Sequence, residues 1–273
     1  MSTHKNPVQR QPHTAVLAAV MALVDARPAR RPFVLGLCGA QGSGKSTMAA
    51  ALVDAVQAQG LAAATLSLDD LYLTRAERAD LARDVHPLLA TRGVPGTHDV
   101  GLGLDLLARI DAGEAVRLPR FDKATDDRAP AADWTAVPGT LDLLVFEGWC
   151  VAAVAQADVA LVDPVNALEA EEDADARWRR WVNAQLAGAY RRLFARIDRL
   201  VLLAAPGFEV VFDWRLEQER CGAGAMDAAQ VARFIQHYER LTRYILSEMP
   251  GRADLVIRLD RDRTPIGIVS RSS

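Results

Sequence analysis

The sequence predicts an α/β fold in which a parallel sheet is covered by helices on both faces. The first observation is that short apolar runs, typical of buried strands, alternate along the chain with segments of helical periodicity. The second is a glycine-rich segment that joins the first apolar run to a helical segment. Because strands of parallel sheets are buried on both faces, continuous apolar runs in this alternation favour a parallel sheet.

Five apolar runs are the predicted strands of this sheet. The first is bounded by Pro32 and Gly39, and the second and third end in acidic residues. The carboxyl ends of parallel strands face the ligand crevice of an open sheet, so polar residues there are candidates for a site. The predicted strands are residues 33–38, 62–68, 141–146, 200–205 and 255–259.

Helical segments separate the predicted strands. Residues 45–58 follow the glycine-rich segment, and Gly60 supplies the stop of that helix. Asp227 with Gln230 resembles a capping box that opens another helix. Further helices are predicted at 15–24, near 100–111, and along the apolar stripe of Trp178, Val182, Leu186, Leu193 and Ile197. Six arginines largely avoid that stripe and are expected on a solvated face: Arg177, Arg179, Arg180, Arg191, Arg192 and Arg196.

Length and composition favour one globular domain. The chain has 273 residues, of which 50% are hydrophobic and 25% charged, and its net charge of -3 argues against nucleic-acid binding. No apolar run reaches the roughly 18 residues of a membrane span. Three widely spaced cysteines favour a reduced, cytoplasmic location, whereas the oligomeric state is left open. We expect a disordered tail at 1–13, one domain at 14–273, a polar substrate-binding excursion at about 74–139, and a lid at about 215–230.

The glycine-rich segment matches the P-loop pattern G-x-x-x-x-G-K-S/T. Its glycines allow backbone N–H groups to surround phosphate oxygens, Lys45 can reach the β- and γ-phosphates, and the Ser46 hydroxyl can bind Mg²⁺. The motif therefore predicts a P-loop NTPase fold that binds ATP and Mg²⁺. The predicted nucleotide-binding residues are Gly39, Ala40, Gln41, Gly42, Ser43, Gly44, Lys45, Ser46 and Thr47.

Carboxylates follow two of the predicted strands. Asp69 and Asp70 come directly after the second strand, where a carboxylate could accept the proton of an attacking hydroxyl group. Glu147 ends the third strand, where it could hold Mg²⁺ directly or through water. We therefore expect catalysis to depend on Lys45 and Asp69, and the metal to depend on Ser46 and Glu147.

Cationic side chains of the polar excursion are candidates for binding an acceptor. The chain contains 29 arginines and three lysines. Lys123 is the one lysine that lies outside both the tail and the P-loop, at a position where this chain would usually have arginine. It lies beside Arg120, and Arg92 and His98 occupy a glycine-rich turn nearby in the excursion. These four residues predict a site for a small anionic acceptor, because such a molecule depends on charge-assisted hydrogen bonds. Arg215 and Arg220, before Gly222, could deliver a cation to the phosphates from a lid.

The ordered set of motifs resembles the D-glycerate 3-kinase family, in the uridine kinase, phosphoribulokinase and pantothenate kinase branch. The segments that carry the resemblance are 36–47, 67–74, 92–99, 118–123, 146–149 and 254–265. The resemblance implies a five-stranded parallel sheet with a lid, ATP as donor and Mg²⁺ as cofactor. It places Asp69 and Tyr72 of the Asp-x-x-Tyr block at the acceptor, with Asp69 as proton acceptor, and gives Glu147 the role of the acid in the Glu-Gly pair.

The leading hypothesis is an ATP-dependent kinase that phosphorylates a hydroxyl group of a small metabolite, with D-glycerate favoured. Pantothenate, a nucleoside or another hydroxylated metabolite are alternatives within this class. A P-loop ATPase that acts as a nucleotide switch is an alternative of a different class. A GTPase is disfavoured, because the sequence has neither an N-K-x-D nor a D-x-x-G element.

Overall fold

The computed structural model of the chain describes residues 13–27, 32–221 and 226–271. Residues 1–12 of the expected tail and 222–225 of the expected lid lie outside the described residues. The strands are β1 Phe33–Gly39, β2 Ala63–Ser67, β3 Val116–Leu118, β4 Phe121–Asp122, β5 Asp127–Arg128, β6 Thr135–Val137, β7 Leu143–Gly148, β8 Arg199–Ala204, β9 Leu255–Leu259 and β10 Pro265–Ser270. The helices are α1 Thr14–Asp25, α2 Lys45–Gln57, α3 Arg75–Asp84, α4 Val100–Asp111, α5 Ala167–Glu172, α6 Arg177–Gln185, α7 Arg191–Phe194, α8 Glu209–Cys221 and α9 Ala228–Glu248.

The central sheet of the described residues has six strands in the order β10-β9-β8-β1-β7-β2. The five strands predicted from the sequence are all present and parallel. The sixth, β10, was not predicted and pairs antiparallel with β9 at the edge. It follows a turn too short for a crossover helix, so the chain can only return beside the strand it has left.

Helices cover both faces of this sheet, and side chains of successive β1 residues point alternately to the two faces. Val34 and Cys38 belong to the core beneath α4, α7 and α9. Leu35 and Leu37 belong to the core beneath α1, α2 and α8. This two-sided burial explains why the strand appears in the sequence as a continuous apolar run.

Helix α1 confirms the amphipathic segment predicted near the start of the chain. Val16, Val20 and Val24 recur every fourth residue and are buried against the second of these cores. None of the described helices is both long enough and apolar enough to cross a membrane.

The excursion between β2 and β7 is more ordered than the sequence suggested. Helix α4 confirms the one predicted helix, whereas α3 was not predicted. The only buried residue of α3 is Arg78, so this helix has no apolar period to recognise. Two short antiparallel pairs, β3–β6 and β4–β5, complete the excursion.

The apolar stripe predicted as a single helix is interrupted. A π-helical turn at Leu186–Tyr190 separates α6 from α7. The expectation that the six arginines lie on a solvated face was wrong for two of them. Arg179 is buried and paired with Asp173 at 2.9 Å, and the largely buried Arg196 binds Asp111 at 2.7 Å.

Candidate active site

The P-loop follows β1 directly, and α2 begins within the motif at Lys45. Gly42 and Gly44 have φ angles of 76° and 91°, which residues with a Cβ atom adopt only with strain. A Cβ atom on Gly42 would also lie 2.6 Å from the Cβ atom of Trp214. Gly42 is therefore required by both backbone conformation and space, and Gly44 by backbone conformation alone. The loop leads into the N-terminus of α2, where anions are favoured.

Glu147, at the end of β7, contacts Ser46, which lies in the first turn of α2. Ser46 Oγ donates to Glu147 Oε1 at 3.2 Å, while the second carboxylate oxygen, Oε2, is buried and has no hydrogen-bond partner. A buried carboxylate oxygen without a donor suits a cation or its bound water. The described residues contain no cluster of three or more His, Cys, Asp and Glu side chains that could hold a metal alone. This pair fits Mg²⁺, which commonly takes few protein ligands and completes its coordination with water and phosphate oxygens.

Asp69 occupies the 3₁₀ turn that follows β2 and faces two donors. Tyr72 donates its hydroxyl to Asp69 Oδ1 at 2.9 Å, and Lys123 Nζ donates to Oδ2 at 2.7 Å. Burial acts to raise the pKa of Asp69, but the charges of Lys123 and Lys45 and the two hydrogen bonds lower it below its ordinary value. Asp69 is therefore a carboxylate at neutral pH.

Asp70 points elsewhere and has a structural role. Its carboxylate accepts from the backbone N–H of Phe121 at 3.0 Å and from Arg120 Nη1 at 3.1 Å. Burial raises the pKa of Asp70, against the lowering effect of these donors. Asp70 thus ties β4 of the excursion to the end of β2, and Arg120 belongs to this anchor.

A pocket of about 400 Å³, partly open to solvent, lies over the P-loop and Asp69. It brings together residues of the P-loop, the strand ends, the excursion and helices α8 and α9. Its lining residues are Gln41, Lys45, Asp69, Tyr72, Arg92, Lys123, Trp149, Arg215, Phe234 and Tyr238. The structure therefore places Lys45, Asp69, Tyr72, Arg92 and Lys123, all predicted site residues, around one pocket.

Four of these lining side chains are cationic and one is a carboxylate. Lys123 is 58% exposed and pairs with Asp69. Arg92 pairs with Asp126 and lies over the Phe121 ring, with its Cζ 5.5 Å from the ring centroid. Arg215, on α8, pairs with Glu219. With Lys45, these groups line the pocket with four cationic side chains, three of them held by carboxylates, and such cations suit phosphate and an anionic acceptor.

His98, predicted as a substrate contact, is not among the residues that line this pocket. Its ring is buried, stacks on Tyr72 with centroids 4.6 Å apart, and has Nδ1 2.6 Å from the Tyr190 hydroxyl. Burial lowers the pKa of His98 to about 3, although the charge of Asp69 opposes this. His98 is therefore neutral and supports Tyr72 by stacking on its ring. Arg120, the other predicted contact absent from the lining, points to Asp70.

Several residues that shape the pocket were not singled out from the sequence. Trp149 donates from Nε1 to the Gly93 carbonyl at 2.9 Å, and Tyr238 donates its hydroxyl to the Arg92 carbonyl at 3.0 Å. These bonds hold the turn that carries Arg92. Asp126, which directs the Arg92 guanidinium, was also missed.

Of the two arginines of the expected lid, Arg215 lines the pocket, whereas Arg220 is exposed at the end of α8.

The sheet, the P-loop and the strand-end acids define a P-loop kinase, and comparison with known proteins specifies the family. Residues 34–179 match the phosphoribulokinase / uridine kinase family, and the chain belongs to it. Together these observations identify an ATP-dependent small-molecule kinase.

Three known proteins are similar to most of this chain. The chain is 35% identical over 266 residues to the uncharacterized kinase mug58 of Schizosaccharomyces pombe, covering 88% of this chain and 92% of that protein. It is 30% identical to the chloroplastic D-glycerate 3-kinase of Arabidopsis thaliana, over 86% of this chain but 54% of that protein. The solved structure of D-glycerate 3-kinase from Cryptococcus neoformans var. grubii has a TM-score of 0.76 at 26% identity, covering 94% of this chain and 97% of that one.

Proposed function

We propose that this kinase transfers the γ-phosphoryl group of ATP to a hydroxyl group of D-glycerate. The observation that carries the proposal is the set of four cations around a single carboxylate in the pocket. Two of these cations, Arg92 and Lys123, come from the excursion and not from the P-loop, and cations placed there suit an acceptor that is itself an anion. Two relatives named as D-glycerate 3-kinases support this choice of acceptor.

In this proposal the nucleotide phosphates lie in the P-loop. Lys45 neutralises charge on the β- and γ-phosphates, and Ser46 and Glu147 hold Mg²⁺, which supplies further neutralisation when bound. The unpartnered Oε2 atom of Glu147 supports the metal assignment. Arg215, from α8, adds positive charge to the same pocket.

Asp69 then orients the acceptor hydroxyl group and accepts its proton. A lowered pKa makes Asp69 a weak base, which is compatible with phosphoryl transfer because the loose transition state demands little early proton removal. Lys123 must give up or share its hydrogen bond to Asp69 so that the acceptor hydroxyl group can reach the Asp69 carboxylate. Its exposure and flexible stem allow it to turn toward the acceptor carboxylate or toward the transferring phosphoryl group.

We place this enzyme in a reducing cytoplasm, where ATP is available. The two cysteines whose side chains are described, Cys38 and Cys150, are both free and buried. Burial raises the pKa of Cys38 to about 12, so its thiol is an unreactive core group.

An acceptor screen tests the proposed function. ADP release should be measured with D-glycerate, glycerol, pantothenate and uridine as acceptors and with no acceptor. We expect D-glycerate to stimulate ADP release far more than the others. Equal use of glycerol would contradict an anionic acceptor, and ADP release that no acceptor changes would favour the nucleotide-switch ATPase.

Replacing Lys123 with Met separates the two roles open to this lysine. A contact to the acceptor carboxylate that is equal in ground and transition states raises the KM for D-glycerate and leaves kcat unchanged, whereas a phosphoryl contact lowers kcat. Arg120→Met is the matched control, because Arg120 is a neighbouring cation turned away from the pocket. We expect Lys123→Met to reduce kcat/KM for D-glycerate by about tenfold or more. Wild-type kinetics in Lys123→Met, or a larger loss in Arg120→Met, would contradict this site.

A further inference from the structure

The turn between β9 and β10 is built to hold one arginine in an unusual conformation. Asp260 Oδ1 accepts from the backbone N–H groups of Asp262 at 2.9 Å and Thr264 at 2.7 Å. Within this turn Arg263 has a φ angle of 66°, which residues other than glycine adopt only at an energetic cost. The bonds of the turn maintain this costly backbone conformation, which sets the direction of the Arg263 side chain.

The Arg263 side chain reaches the P-loop from the edge of the sheet. Its Nε atom donates to the Gly42 carbonyl at 2.6 Å, and Nη2 lies 2.7 Å from Glu217 Oε2 on α8. The guanidinium group also covers the Trp214 ring, with Cζ 5.2 Å from the ring centroid. The side chain is 19% exposed, so these bonds are partly protected from water.

The bond to Gly42 completes the fixation of one P-loop peptide. The Ser43 N–H, the other polar group of the same planar peptide, donates to the Ala40 carbonyl at 3.1 Å. Both groups of the Gly42–Ser43 peptide are therefore held by the protein itself. The orientation of this peptide is therefore fixed before a phosphate group binds.

The same guanidinium connects the P-loop to α8. Glu217 lies two residues beyond Arg215, which lines the pocket, and Trp214 packs against Gly42. Trp214 is fixed in turn, because its Nε1 atom donates to the Arg261 carbonyl at 2.7 Å. The β9–β10 turn thus holds both the P-loop and the helix that brings a cation to the pocket.

We propose that Arg263 is a positioning residue of the nucleotide site, which keeps the Gly42–Ser43 peptide in a fixed orientation within the P-loop and joins it to α8. Arg263 acts through the P-loop and does not itself contact the phosphates. Because a preformed loop costs less ordering when a ligand binds, its effect should appear mainly in nucleotide affinity.

Arg263→Met tests the proposal, since methionine can still cover Trp214 but cannot donate a hydrogen bond. We expect the Kd for ATP with Mg²⁺, measured by calorimetry without acceptor, to rise about tenfold or more. The KM for ATP should rise in parallel, while kcat at saturating ATP changes less. A merely structural defect would instead lower the active fraction, and with it kcat, without changing the KM for ATP.

Two further variants make the test specific. Arg263→Lys keeps a donor for Gly42 and should recover part of the lost ATP affinity. Arg261→Met is the matched control, because Arg261 lies in the same turn and pairs with Asp213 on α8, yet its side chain is 65% exposed. ATP affinity within about twofold of wild type is expected for this control. Unchanged ATP affinity in Arg263→Met, no recovery with lysine, or an equal loss in Arg261→Met would overturn the proposal.

Discussion

Asp69 and Asp70 are adjacent in sequence but have different surroundings. Asp69 faces the pocket with Tyr72 and Lys123 as donors, whereas both oxygens of Asp70 are bound to the excursion. A 3₁₀ turn directs consecutive side chains apart, which is why one residue of the pair can serve chemistry and the other structure. The sequence alone could not assign these roles, since both acids follow the same strand.

Asp69→Asn should lower kcat by roughly 100-fold or more, the usual scale of general acid–base catalysis. The Kd for ATP should change little, because Asp69 is proposed to face the acceptor. Asp70→Asn is the control. It retains one acceptor oxygen for Phe121, so we expect lost stability with a milder loss of kcat. Steady-state kinetics of both variants decide the assignment, and the reverse order of effects would make Asp70 the base.

His98 should make the free energy of unfolding depend on pH. In the unfolded chain its pKa is about 6.5, whereas burial lowers the folded value to about 3. The unfolded chain therefore takes up a proton that the folded protein does not. The stability from neutral His98 is fully present above about pH 6.5 and is lost as the pH falls toward 3.

His98→Asn removes this titration and keeps an acceptor oxygen near the position of Nδ1. Between about pH 6 and 5, the free energy of unfolding of the variant should fall less steeply than that of wild type, by up to about 1.4 kcal/mol per pH unit. Urea denaturation at several pH values measures the slope. Parallel slopes for the two proteins would show that His98 does not become protonated on unfolding in this range.

At the scale of elements, the β4–β5 hairpin positions the excursion over the pocket through one buried arginine. Arg78 of α3 donates to the carbonyl groups of Leu73, Ala90 and Asp126 at 2.7–3.2 Å. It also pairs with the Asp126 carboxylate, the group that directs Arg92. Arg78 therefore links α3, the turn before Arg92 and the hairpin turn that contains Lys123 and Asp126.

Arg78→Met should destabilise the protein by about 3 kcal/mol, because it leaves buried carbonyl groups without donors and removes one partner of a largely buried pair. Partial exposure of Asp126 and its retained bond to Arg92 keep the loss from being larger. The KM for acceptor should rise as the hairpin loosens. Chemical denaturation and acceptor kinetics measure both effects. Arg83→Met on the same helix is the control, since its pairs with Asp80 and Asp84 are exposed, and it should alter neither quantity appreciably.

Elements with a strong local signal could be predicted, and those without one could not. The parallel strands and the P-loop helix follow from continuous apolar runs and glycine spacing. Helix α3 has no fully buried apolar residue, so its capping box at Thr74 and Glu77 is the clearest local signal for it. The edge strand β10 exposes Ile266 and Ile268, and hence lacks the buried run that marks the other strands. Apolar residues continue through the π-helical turn, where Leu186 and Tyr190 are both buried, so the stripe alone does not reveal it.

The candidate site likewise combines residues that local motifs predicted with residues that no local motif marks. The P-loop and the strand-end acids are local motifs, and their side chains do meet at one edge of the sheet. Phe234 and Tyr238 come from the distant helix α9 and carry no motif, so only the fold reveals them as pocket walls. Arg120 was predicted to bind the acceptor because it neighbours Lys123. In the structure Arg120 pairs with Asp70, which is 50 residues away, and only the fold reveals this contact.

At the scale of the whole molecule, the nucleotide site joins both cores. The P-loop leaves β1, which separates the core under α2 and α8 from the core under α4 and α9. Pocket residues come from α8 and α9 as well as from the strand ends. A ligand held between these parts binds the folded chain and has no comparable site in the unfolded chain. Nucleotide binding should therefore stabilise the whole domain.

ATP with Mg²⁺ should raise the free energy of unfolding by about 2.7 kcal/mol at a concentration 100 times its Kd. For a domain of this size, that corresponds to a rise in Tm of about 5 °C or more in a thermal scan. Lys45→Ala should keep the wild-type Tm without ligand, since Lys45 acts on phosphate charge and not on the core. The same ATP concentration should shift the Tm of this variant less, and kcat should fall by more than about 100-fold, equivalent to about 3 kcal/mol of transition-state stabilisation. Near-normal turnover in Lys45→Ala, or a full thermal shift together with full activity, would contradict the assignment of this loop as the site of phosphoryl transfer.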